Sequence, residues 1–437
     1  MLIINNDIVK VLKVIFSRNK VIIVKKKIRK QKSRKIKRRP VKKARKKVVF
    51  LIIDGMADLP MNERTPLSAA RKPNLDYLAK NGMVGEIIPV ERKLWSDLTR
   101  ASISHIANLT LLGYDPKNYY LKRGPIEAVG TNTTFRNGWL AVRCNFCTVD
   151  KELNILDRRV GRNSAGLDEL ARYVNEHVKI GTEIVFMRTY EHRAVLILKE
   201  NLSDQITDSD PYSAWQKVKV IEALTPEARK SAQLVQEFVD KARGVIEFHP
   251  VNEQRTKNGM LPANYIITRE AGNRLPAIPC FPVRHKRKSV CIAENGVMKG
   301  TCMLAGFDAI TIPELKFEAS LKFIFDHIED ALTNYDFIYA HIKGPDEPAH
   351  DGDFHRKQMM IESIDKYLEK FKSFDGIFIL TCDHITSCNT RKHEYGAVPI
   401  LIYGKGKDRV EKFDELSVKK GRLKMTSGKE IWRIALR

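Results

Sequence analysis

The chain has 437 residues, of which 43% are hydrophobic and 30% charged, a composition typical of a globular protein with two ordinary domains or one large domain carrying an insertion. Its formal net charge is +25, but residues 1–47 alone hold 20 Lys and Arg against one Asp. The rest of the chain is therefore only mildly cationic, so the total charge does not by itself indicate a nucleic-acid-binding fold.

The basic segment, residues 1–46, is expected to be a disordered extension, because the like charges of Lys25–Lys47 repel one another. Lysines and arginines interrupt its apolar stretches, so none approaches the roughly 20 residues that a membrane-spanning helix needs. A secretory signal is not expected either. The segment is interpreted either as an arm that binds nucleic acid or a membrane surface, or as a solvated extension or an upstream start that the cell does not use.

The seven cysteines are odd in number and lie mostly in apolar contexts. This pattern argues against a secreted disulfide framework and favours a cytoplasmic location. Cys144 and Cys147 form a C-x-x-C pair. A structural zinc site there would need two further ligands at similar spacing, whereas Cys382 and Cys388 lie six residues apart.

The first predicted strand begins at Lys47 and is continuously apolar from Val48 to Ile53, as in strands that are buried on both faces. It ends in the carboxylate of Asp54, and Gly55 then permits a sharp turn. A short helix opened by Pro73 and stopped by Gly82 follows. The helix is interpreted as scaffold.

Residues 98–116 predict a second helix that ends at Gly113, with Ser102 or Ser104 as its N-cap. A serine at a helix N-terminus is usually only a cap. The same place suits an attacking oxygen, because the helix dipole and the free N–H groups favour bound phosphate and a developing alkoxide.

Residues 120–279 alternate short strands, polar turns and helices, which predicts a smaller inserted α+β domain. The predicted strands cover 138–149, 183–187 and 194–198, and the predicted helices cover 167–176 and 226–242. Arginines are dense in this part of the chain, and guanidinium groups bind phosphate and carboxylate in bidentate fashion. Most of them fit a charged outer surface. The segment Asp157–Arg162 fits it least, since three arginines flank a glycine in a tight turn.

Buried-strand patterns return after Pro282, at 288–293, 308–312 and 336–342. The last of these leads into Asp346 and His350, whose spacing of four allows both to hold one ion on a turn or on the first turn of a helix.

A helix over 358–371 precedes the strand 376–381, which ends in the adjacent ligands Asp383 and His384. His393 lies just before a last apolar strand within 397–404.

Strand ends thus supply the candidate metal ligands Asp54, Asp346, His350, Asp383 and His384, and His393 nearby brings the number to six. Mixed carboxylates and imidazoles suit Mn²⁺ or Zn²⁺ better than Mg²⁺ or Ca²⁺. Six ligands exceed what one tetrahedral ion needs, so a site with two metal ions is the simplest interpretation. Pairs of neighbouring metal ions are a recurring device of phosphoryl transfer. Ser104 would then complete the shell of one ion, and the arginines would hold the substrate's oxygens.

The chain resembles the archaeal 2,3-bisphosphoglycerate-independent phosphoglycerate mutases, members of the alkaline phosphatase superfamily, from about residue 47 to residue 437. The segments that carry the resemblance are Ile53–Gly55, Thr65–Leu67, Pro73–Ala79, Ala107–Pro116, Arg123–Ala128, Asp157–Arg162, His341–Gly352, Asp383–His384 and Val398–Gly404. The resemblance implies an α/β fold with an alkaline-phosphatase-like core. That core would have a mostly parallel sheet with helices on both faces, built from 47–119 and 280–437, and residues 120–279 would form the inserted substrate-binding domain.

The resemblance also implies roles for individual residues, with Asp54, Ser104, Asp383 and His384 holding one divalent metal and Asp346, His350 and His393 holding the other. The ions would be Mn, Zn, Mg or Co, with Mn or Zn favoured, and no 2,3-bisphosphoglycerate would be needed. Ser104 would take the phosphoryl group from 3-phosphoglycerate and return it to the 2-oxygen, in a closed site that keeps water out. The residues implied to lie near the substrate are Arg123, Asp157, Arg159, Arg162, Arg193 and Lys299.

The sequence departs from the family's pattern beside the serine. Where the family usually reads Pro-Gly-Ser-Asp, this chain has Ser102-Ile103-Ser104-His105. Ile103 replaces a flexible glycine, so the turn at the serine is expected to differ or to be strained. His105 replaces a carboxylate and so alters the charge beside the metals. The glycine that the family has between the positions of Glu347 and His350 is also shifted, and this chain has Pro348-Ala349 there.

The main hypothesis is therefore an enzyme that interconverts 3- and 2-phosphoglycerate in glycolysis and gluconeogenesis, with a small-molecule substrate and no membrane partner. One alternative keeps the metals but makes the enzyme a phosphatase or another phosphomutase. A third hypothesis is a catalytically degenerate paralogue, in which residues 1–46 bind nucleic acid.

Overall fold

The computed structural model describes residues 45–97, 103–119, 122–425 and 427–436. The strands are β1 (Val48–Ile53), β2 (Met83–Ile87), β3 (Trp139–Val149), β4 (Ile155–Asp157), β5 (Ile184–Arg188), β6 (Arg193–Asn201), β7 (Tyr265–Gly272), β8 (Ser289–Glu294), β9 (Asp308–Ile312), β10 (Phe337–Ile342), β11 (Ile377–Thr381), β12 (Ile385–Ser387), β13 (Lys392–Glu394), β14 (Val398–Tyr403) and β15 (Leu423–Met425).

The helices are α1 (Pro66–Ala69), α2 (Pro73–Asn81), α3 (Arg92–Asp97), α4 (Ile103–Leu111), α5 (Arg123–Gly130), α6 (Leu167–His177), α7 (Arg229–Ile246), α8 (Pro250–Lys257), α9 (Phe281–His285), α10 (Val297–Leu304), α11 (Phe317–Asn334), α12 (Asp346–Asp351), α13 (Phe354–Tyr367) and α14 (Gly428–Ala435). Single 3₁₀ turns cover Val160–Arg162, Pro226–Ala228, Leu368–Ser373 and Ser417–Lys420.

An eight-stranded sheet organises the larger part of the described chain, in the order β15-β2-β14-β11-β1-β10-β8-β9. Strands β11, β1, β10, β8 and β9 run parallel, and only the pairs that involve β14 are antiparallel. Every residue of β1, β8 and β10 is buried, so both faces of the sheet are covered, as parallel sheets require. The expected α/β fold with a mostly parallel sheet is confirmed.

The carboxyl ends of the central strands all lie at one edge of this sheet, because β1 is parallel to both of its neighbours. Leu51 lies opposite Ala340 of β10 and Leu380 of β11. The residues that follow these three strands therefore emerge side by side, where loops can present polar groups without disturbing the core.

A second sheet of five antiparallel strands is built from β3 to β7, with β3 paired to β4, β6 and β7. It has its own hydrophobic cluster with α6 and α7, which includes Phe146, Leu170, Phe238 and Ile266. The predicted division into a core of 47–119 and 280–437 and an inserted domain of 120–279 stays a prediction.

Several predicted elements are confirmed with shifted ends. The helix predicted over 226–242 begins as a 3₁₀ turn and continues as α7 to Ile246. The helix predicted over 358–371 begins earlier, at Phe354, where Asp353 caps it by accepting from the Arg356 N–H. The predicted extension 1–46 lies outside the described residues except for Arg45 and Lys46. Among the helices that the structure describes, none is long and apolar enough to cross a membrane.

Candidate active site

The first cluster at the sheet edge consists of Asp54, Asp383 and His384. Asp54 directly follows β1, and the other two follow β11. One ligating atom from each lies within 4.8 Å of the others. The Nε2 atom of His384 is 3.2 Å from Oδ1 of Asp54 and 3.5 Å from Oδ2 of Asp383. The predicted convergence of these three side chains is therefore observed.

Ser104 joins this first cluster from the first turn of α4. Its Oγ lies 3.1 Å from Nε2 of His384. The Nδ2 of Asn108, one turn further along α4, donates to the Ser104 carbonyl (2.8 Å) and to Oδ2 of Asp383 (3.3 Å). The helix thus places the hydroxyl against the same atoms that the two strands supply.

The turn that leads into Ser104 is described only from Ile103 onward. Ile103 is helical and buried, so this backbone does not require a glycine there. Ser104 lies inside the helix instead of capping it, while Ser102 lies outside the described residues. His105 is fully buried and accepts a hydrogen bond from Nε of Arg123 at 3.3 Å. The residue that replaces the family's carboxylate thus contacts an arginine of the cavity.

The second cluster consists of Asp346, His350 and His393. Asp346 and His350 lie on α12 one helical turn apart, and His393 lies on β13. The Nε2 atoms of His393 and His350 are 3.3 Å and 3.4 Å from the two carboxylate oxygens of Asp346. As predicted, these three residues also converge.

Thr386 connects the two clusters. Its hydroxyl donates to Oδ1 of Asp346 (2.7 Å) and lies 3.0 Å from Nδ1 of His384. The rings of His384 and His393 are 4.1 Å apart. Gly55 makes this approach possible, because its φ is +58° and a Cβ there would lie 2.6 Å from the Thr386 hydroxyl.

The protonation equilibria of the first cluster are strongly coupled. Burial, together with the nearby charge of Asp54, raises the pKa of Asp383 to about 6. Burial alone would lower the pKa of His384, but Asp383 and Asp54 raise it to about 9. Burial would likewise raise the pKa of Asp54, yet the hydrogen bond and charge of His384 lower it. Two carboxylates forced together around one imidazole are typical of a site built for additional positive charge.

The second cluster has an ionised carboxylate at its centre. Burial opposes ionisation of Asp346, but its contacts with His350 and His393 hold its pKa well below the usual range. The pKa of His393 is lowered by burial and by the neighbouring His384, which favours the neutral imidazole that a metal ligand must be.

A cavity of about 430 Å³ opens between the two clusters and the second sheet. Its basic lining residues are Arg123, Arg143, Arg158, Arg159, Arg162, Arg193, Arg269, Lys343 and Lys392. Its acidic lining residues are Asp54, Glu191, Asp346 and Glu347. Burial and the adjacent Arg123 lower the pKa of Arg143 well below its usual value, as expected where guanidinium groups crowd together without water. Such a cavity fits a small, highly anionic ligand.

The residues predicted to bind substrate divide into two groups. Arg123, Arg159, Arg162 and Arg193 line the cavity, whereas Asp157 and Lys299 are not among its lining residues. The carboxylate of Asp157 accepts from the backbone N–H groups of Arg159 (2.6 Å) and Gly161 (3.1 Å), and so it shapes the turn that carries two of the arginines. Lys299 is buried on α10, with its Nζ 3.3 Å from Oδ1 of Asn295.

Sequence reasoning missed Lys343 and Glu191. Lys343 directly follows β10, so the argument from strand ends that found Asp54 could have found it as well. Glu191 lies in the turn between β5 and β6 and carries no sequence signal of its own. The C-x-x-C cysteines are buried in β3, and neither belongs to a cluster of metal ligands among the described residues.

Comparison with known proteins identifies the family. A family model described as 2,3-bisphosphoglycerate-independent phosphoglycerate mutase matches residues 79–252. The curated enzyme of that name from Methanosphaera stadtmanae is 37% identical over 88% of this chain and 96% of its own length. A second, from Methanothermobacter thermautotrophicus, is 38% identical over 89% of this chain and 97% of its own length. The chain belongs to this family.

Solved structures agree with membership in the phosphoglycerate mutase family. The cofactor-independent phosphoglycerate mutase from Thermoplasma acidophilum is 32% identical, covers 89% of this chain and 100% of its own, and superposes with a TM-score of 0.56. A Pyrococcus horikoshii protein of 27% identity covers 90% and 97% with a TM-score of 0.71. The described part of the chain therefore has the fold of a cofactor-independent phosphoglycerate mutase.

Proposed function

We propose that this chain interconverts 3-phosphoglycerate and 2-phosphoglycerate through a phosphoserine at Ser104, without 2,3-bisphosphoglycerate. The observation that carries the proposal is the position of the Ser104 hydroxyl, 3.1 Å from His384 and on the wall of a cavity that nine basic side chains line. Family membership supplies the reaction, and this geometry supplies the residue that would perform it.

The two clusters have the donor sets of metal sites. Each offers carboxylate oxygens and imidazole nitrogens within 4.8 Å of one another. The buried Oδ1 of Asp54 has only the His384 imidazole, 3.2 Å away, near it, and the buried Nδ1 of His393 has no hydrogen-bond partner among the described residues. A cation would bind Oδ1 of Asp54 and would relieve the repulsion between the Asp54 and Asp383 carboxylates. The residues present therefore fit a pair of divalent ions.

The holders of the two ions would be Asp54, Asp383, His384 and Ser104 for one, and Asp346, His350 and His393 for the other. Ions bound there would act as Lewis acids that lower the pKa of the Ser104 hydroxyl and offset phosphoryl charge. Mn²⁺ or Zn²⁺ is favoured over Mg²⁺ as the resident ion, because both clusters mix imidazole with carboxylate.

In the forward transfer, the Ser104 Oγ attacks phosphorus and the bond between phosphorus and the 3-oxygen breaks. The proton that leaves Ser104 balances the charge that appears on the 3-oxygen of glycerate. Glycerate then reorients within the cavity, and its 2-hydroxyl attacks the phosphoserine, which returns the proton and frees Ser104. The half-buried position of the serine limits attack by water on the phosphoserine.

The arginines of the cavity would hold the phosphoryl and carboxylate oxygens while glycerate turns. Arg123 and Arg193 lie on the side of the cavity that also contains Ser104 and Asp54. Arg159 and Arg162 approach from the turn that Asp157 shapes. Fixed guanidinium donors stabilise a transferring phosphoryl group most when water is excluded.

The family assignment does not favour a phosphatase or a degenerate paralogue. A nucleic-acid-binding role for residues 1–46 and a cytoplasmic location stay predictions.

The decisive experiment is mass spectrometry of the Mn²⁺-loaded protein after mixing with 3-phosphoglycerate. We expect a phosphopeptide that contains Ser104 and the appearance of 2-phosphoglycerate. Ser104→Ala should abolish both, while Ser373→Ala, a change at an exposed serine remote from the cavity, should leave both intact. Turnover that survives Ser104→Ala would assign the attack to another group, and phosphate release without isomerisation would indicate a phosphatase.

A further inference from the structure

The turn that joins β5 to β6, residues 189–192, reaches from the second sheet onto the larger sheet's loops. The Thr189 carbonyl accepts from Nδ2 of Asn295 at 3.2 Å. The N–H of Glu191 donates to Oε1 of Glu314 (2.5 Å), and Arg188 pairs with the same carboxylate. This turn is therefore attached to the larger sheet by contacts that do not involve the Glu191 side chain.

The Glu191 side chain makes a separate set of contacts. Its Oε1 accepts from Nζ of Lys343 at 2.6 Å, and its Oε2 accepts from Nη1 of Arg193 at 2.8 Å. Lys343 follows β10 of the larger sheet, whereas Arg193 begins β6 of the second sheet. One carboxylate thus connects two cavity-lining cations that come from different sheets.

The backbone at Glu191 is also unusual, with a φ of +51° in the left-handed region. A residue with a long side chain adopts this conformation at a cost of about 1 kcal/mol or more, and it persists only where the surroundings hold it. Here both the backbone N–H and the carboxylate are held, each by a different partner. The strained turn directs the carboxylate into the cavity.

A carboxylate in this cavity needs a physical reason, because it repels the anion that the basic residues attract. If it served only to offset excess charge, its removal would strengthen anion binding. If it served only to attach the turn, the contacts of Glu314 could replace it. Its two short hydrogen bonds indicate a different use, which is to restrict two flexible cationic side chains to one orientation each.

We propose that Glu191 is a positioning residue that fixes Arg193 and Lys343, one from each sheet, in the lining of the cavity, so that both point toward the anionic groups of the bound phosphoglycerate. The inference rests on the proposed function for the nature of the substrate. Preorganised cations bind a ligand more tightly than mobile ones, since the ordering cost is met before the ligand arrives. Without the carboxylate, Arg193 and Lys343 repel each other and lose their common anchor.

The test is steady-state kinetics of Glu191→Gln beside Glu314→Gln, with the Mn²⁺-loaded full chain and 3-phosphoglycerate. The amide can accept from one cation but presents an N–H₂ to the other. We expect Glu191→Gln to raise KM at least tenfold with kcat within threefold of wild type, the pattern of lost ground-state and transition-state binding. Glu314→Gln removes the charge that pairs with Arg188 and so weakens the attachment of the turn, but it keeps the cavity carboxylate, and it should leave KM within twofold of wild type.

A lower KM in Glu191→Gln would overturn the proposal in favour of simple charge offset. An equal rise in KM in both variants would assign the effect to attachment of the turn and would also overturn it. The double variant Glu191→Gln/Lys343→Met should show less than the product of the two single effects, because both changes act on one contact. A multiplicative effect would contradict it.

Two further measurements separate the role of the Glu191 charge from a failure of the proposed function. Glu191→Asp, which keeps the charge on a shorter side chain, should give a KM between those of wild type and Glu191→Gln, and a KM as high as that of Glu191→Gln would count against a role for the charge. A wild-type protein that forms no 2-phosphoglycerate would refute the proposed function instead. Calorimetric titration with 3-phosphoglycerate would then still decide whether Glu191→Gln weakens binding.

Discussion

Lys357 has an environment that predicts a large and specific loss of stability on replacement. It lies on α13 with its side chain fully buried. Its Nζ donates to the Ala57 carbonyl (3.0 Å), to Oδ2 of Asp58 (2.9 Å) and to the Thr386 carbonyl (2.7 Å). The ammonium thus joins the loop after Asp54 to the strand after His384, directly behind the first cluster.

Replacing Lys357 with Met keeps the length and apolar body of the side chain but removes its charge and its three donated hydrogen bonds. The Asp58 carboxylate would stay fully buried and would keep the donated backbone N–H groups of Leu59 and Cys388, but it would lose its counter-charge. Removing one partner of a buried ion pair typically costs about 3–5 kcal/mol. We expect a loss of unfolding free energy in that range.

The measurement is urea denaturation of the wild type, Lys357→Met, Asp58→Asn and the double variant, with Lys322→Met as the control. Lys322 pairs with Asp326 on the exposed face of α11, and its loss should be undetectable. The double variant should be more stable than the sum of the single losses predicts, because it leaves no unpaired charge. A loss below about 1 kcal/mol in Lys357→Met would refute the argument that an uncompensated buried charge remains.

Three further predictions follow from the same structure. Mn²⁺ at 100 times its Kd should stabilise the fold by about 2.7 kcal/mol for each ion that binds, with EDTA reversing the shift in Tm and His393→Ala reducing it. Burial would raise the pKa of Glu191, but Arg193 and Lys343 outweigh it and lower the pKa to about 2. The ionised carboxylate therefore stabilises the fold by about 3 kcal/mol above pH 4.5. The difference in stability between wild type and Glu191→Gln should shrink as the pH falls from 5 toward 2, and a constant difference would contradict this. A Cβ on Gly85 would lie 1.8 Å from the carbonyl oxygen of Leu423 in the adjacent β15, so Gly85→Ala should lower the free energy of unfolding by about 2 kcal/mol or more. The control Gly244→Ala, in open space on α7, should leave it unchanged or raise it by up to about 1 kcal/mol.

The sequence predicted the central strands well because each one is a continuous apolar run that ends abruptly in a charged residue. It missed α11, although Leu321, Ile324, Phe325 and Ile328 follow the helical period and are all buried. It also missed β15, a strand of three residues that forms only because β2 offers it an edge. Short edge strands depend on their neighbours more than on their own residues.

The sequence by itself determined which polar residues would meet at the sheet edge. Asp54, Asp383 and His384 follow apolar strands that must lie parallel in the core, and parallel strands end at one edge. Only the tertiary structure decided which cations face the cavity, since it includes Lys343 and leaves out Lys299. Only the tertiary structure brought Glu191 between Arg193 and Lys343. The physical reason is that the burial of a strand follows from the local pattern of apolar residues, whereas the direction of a long side chain depends on how two separate sheets are arranged around the cavity.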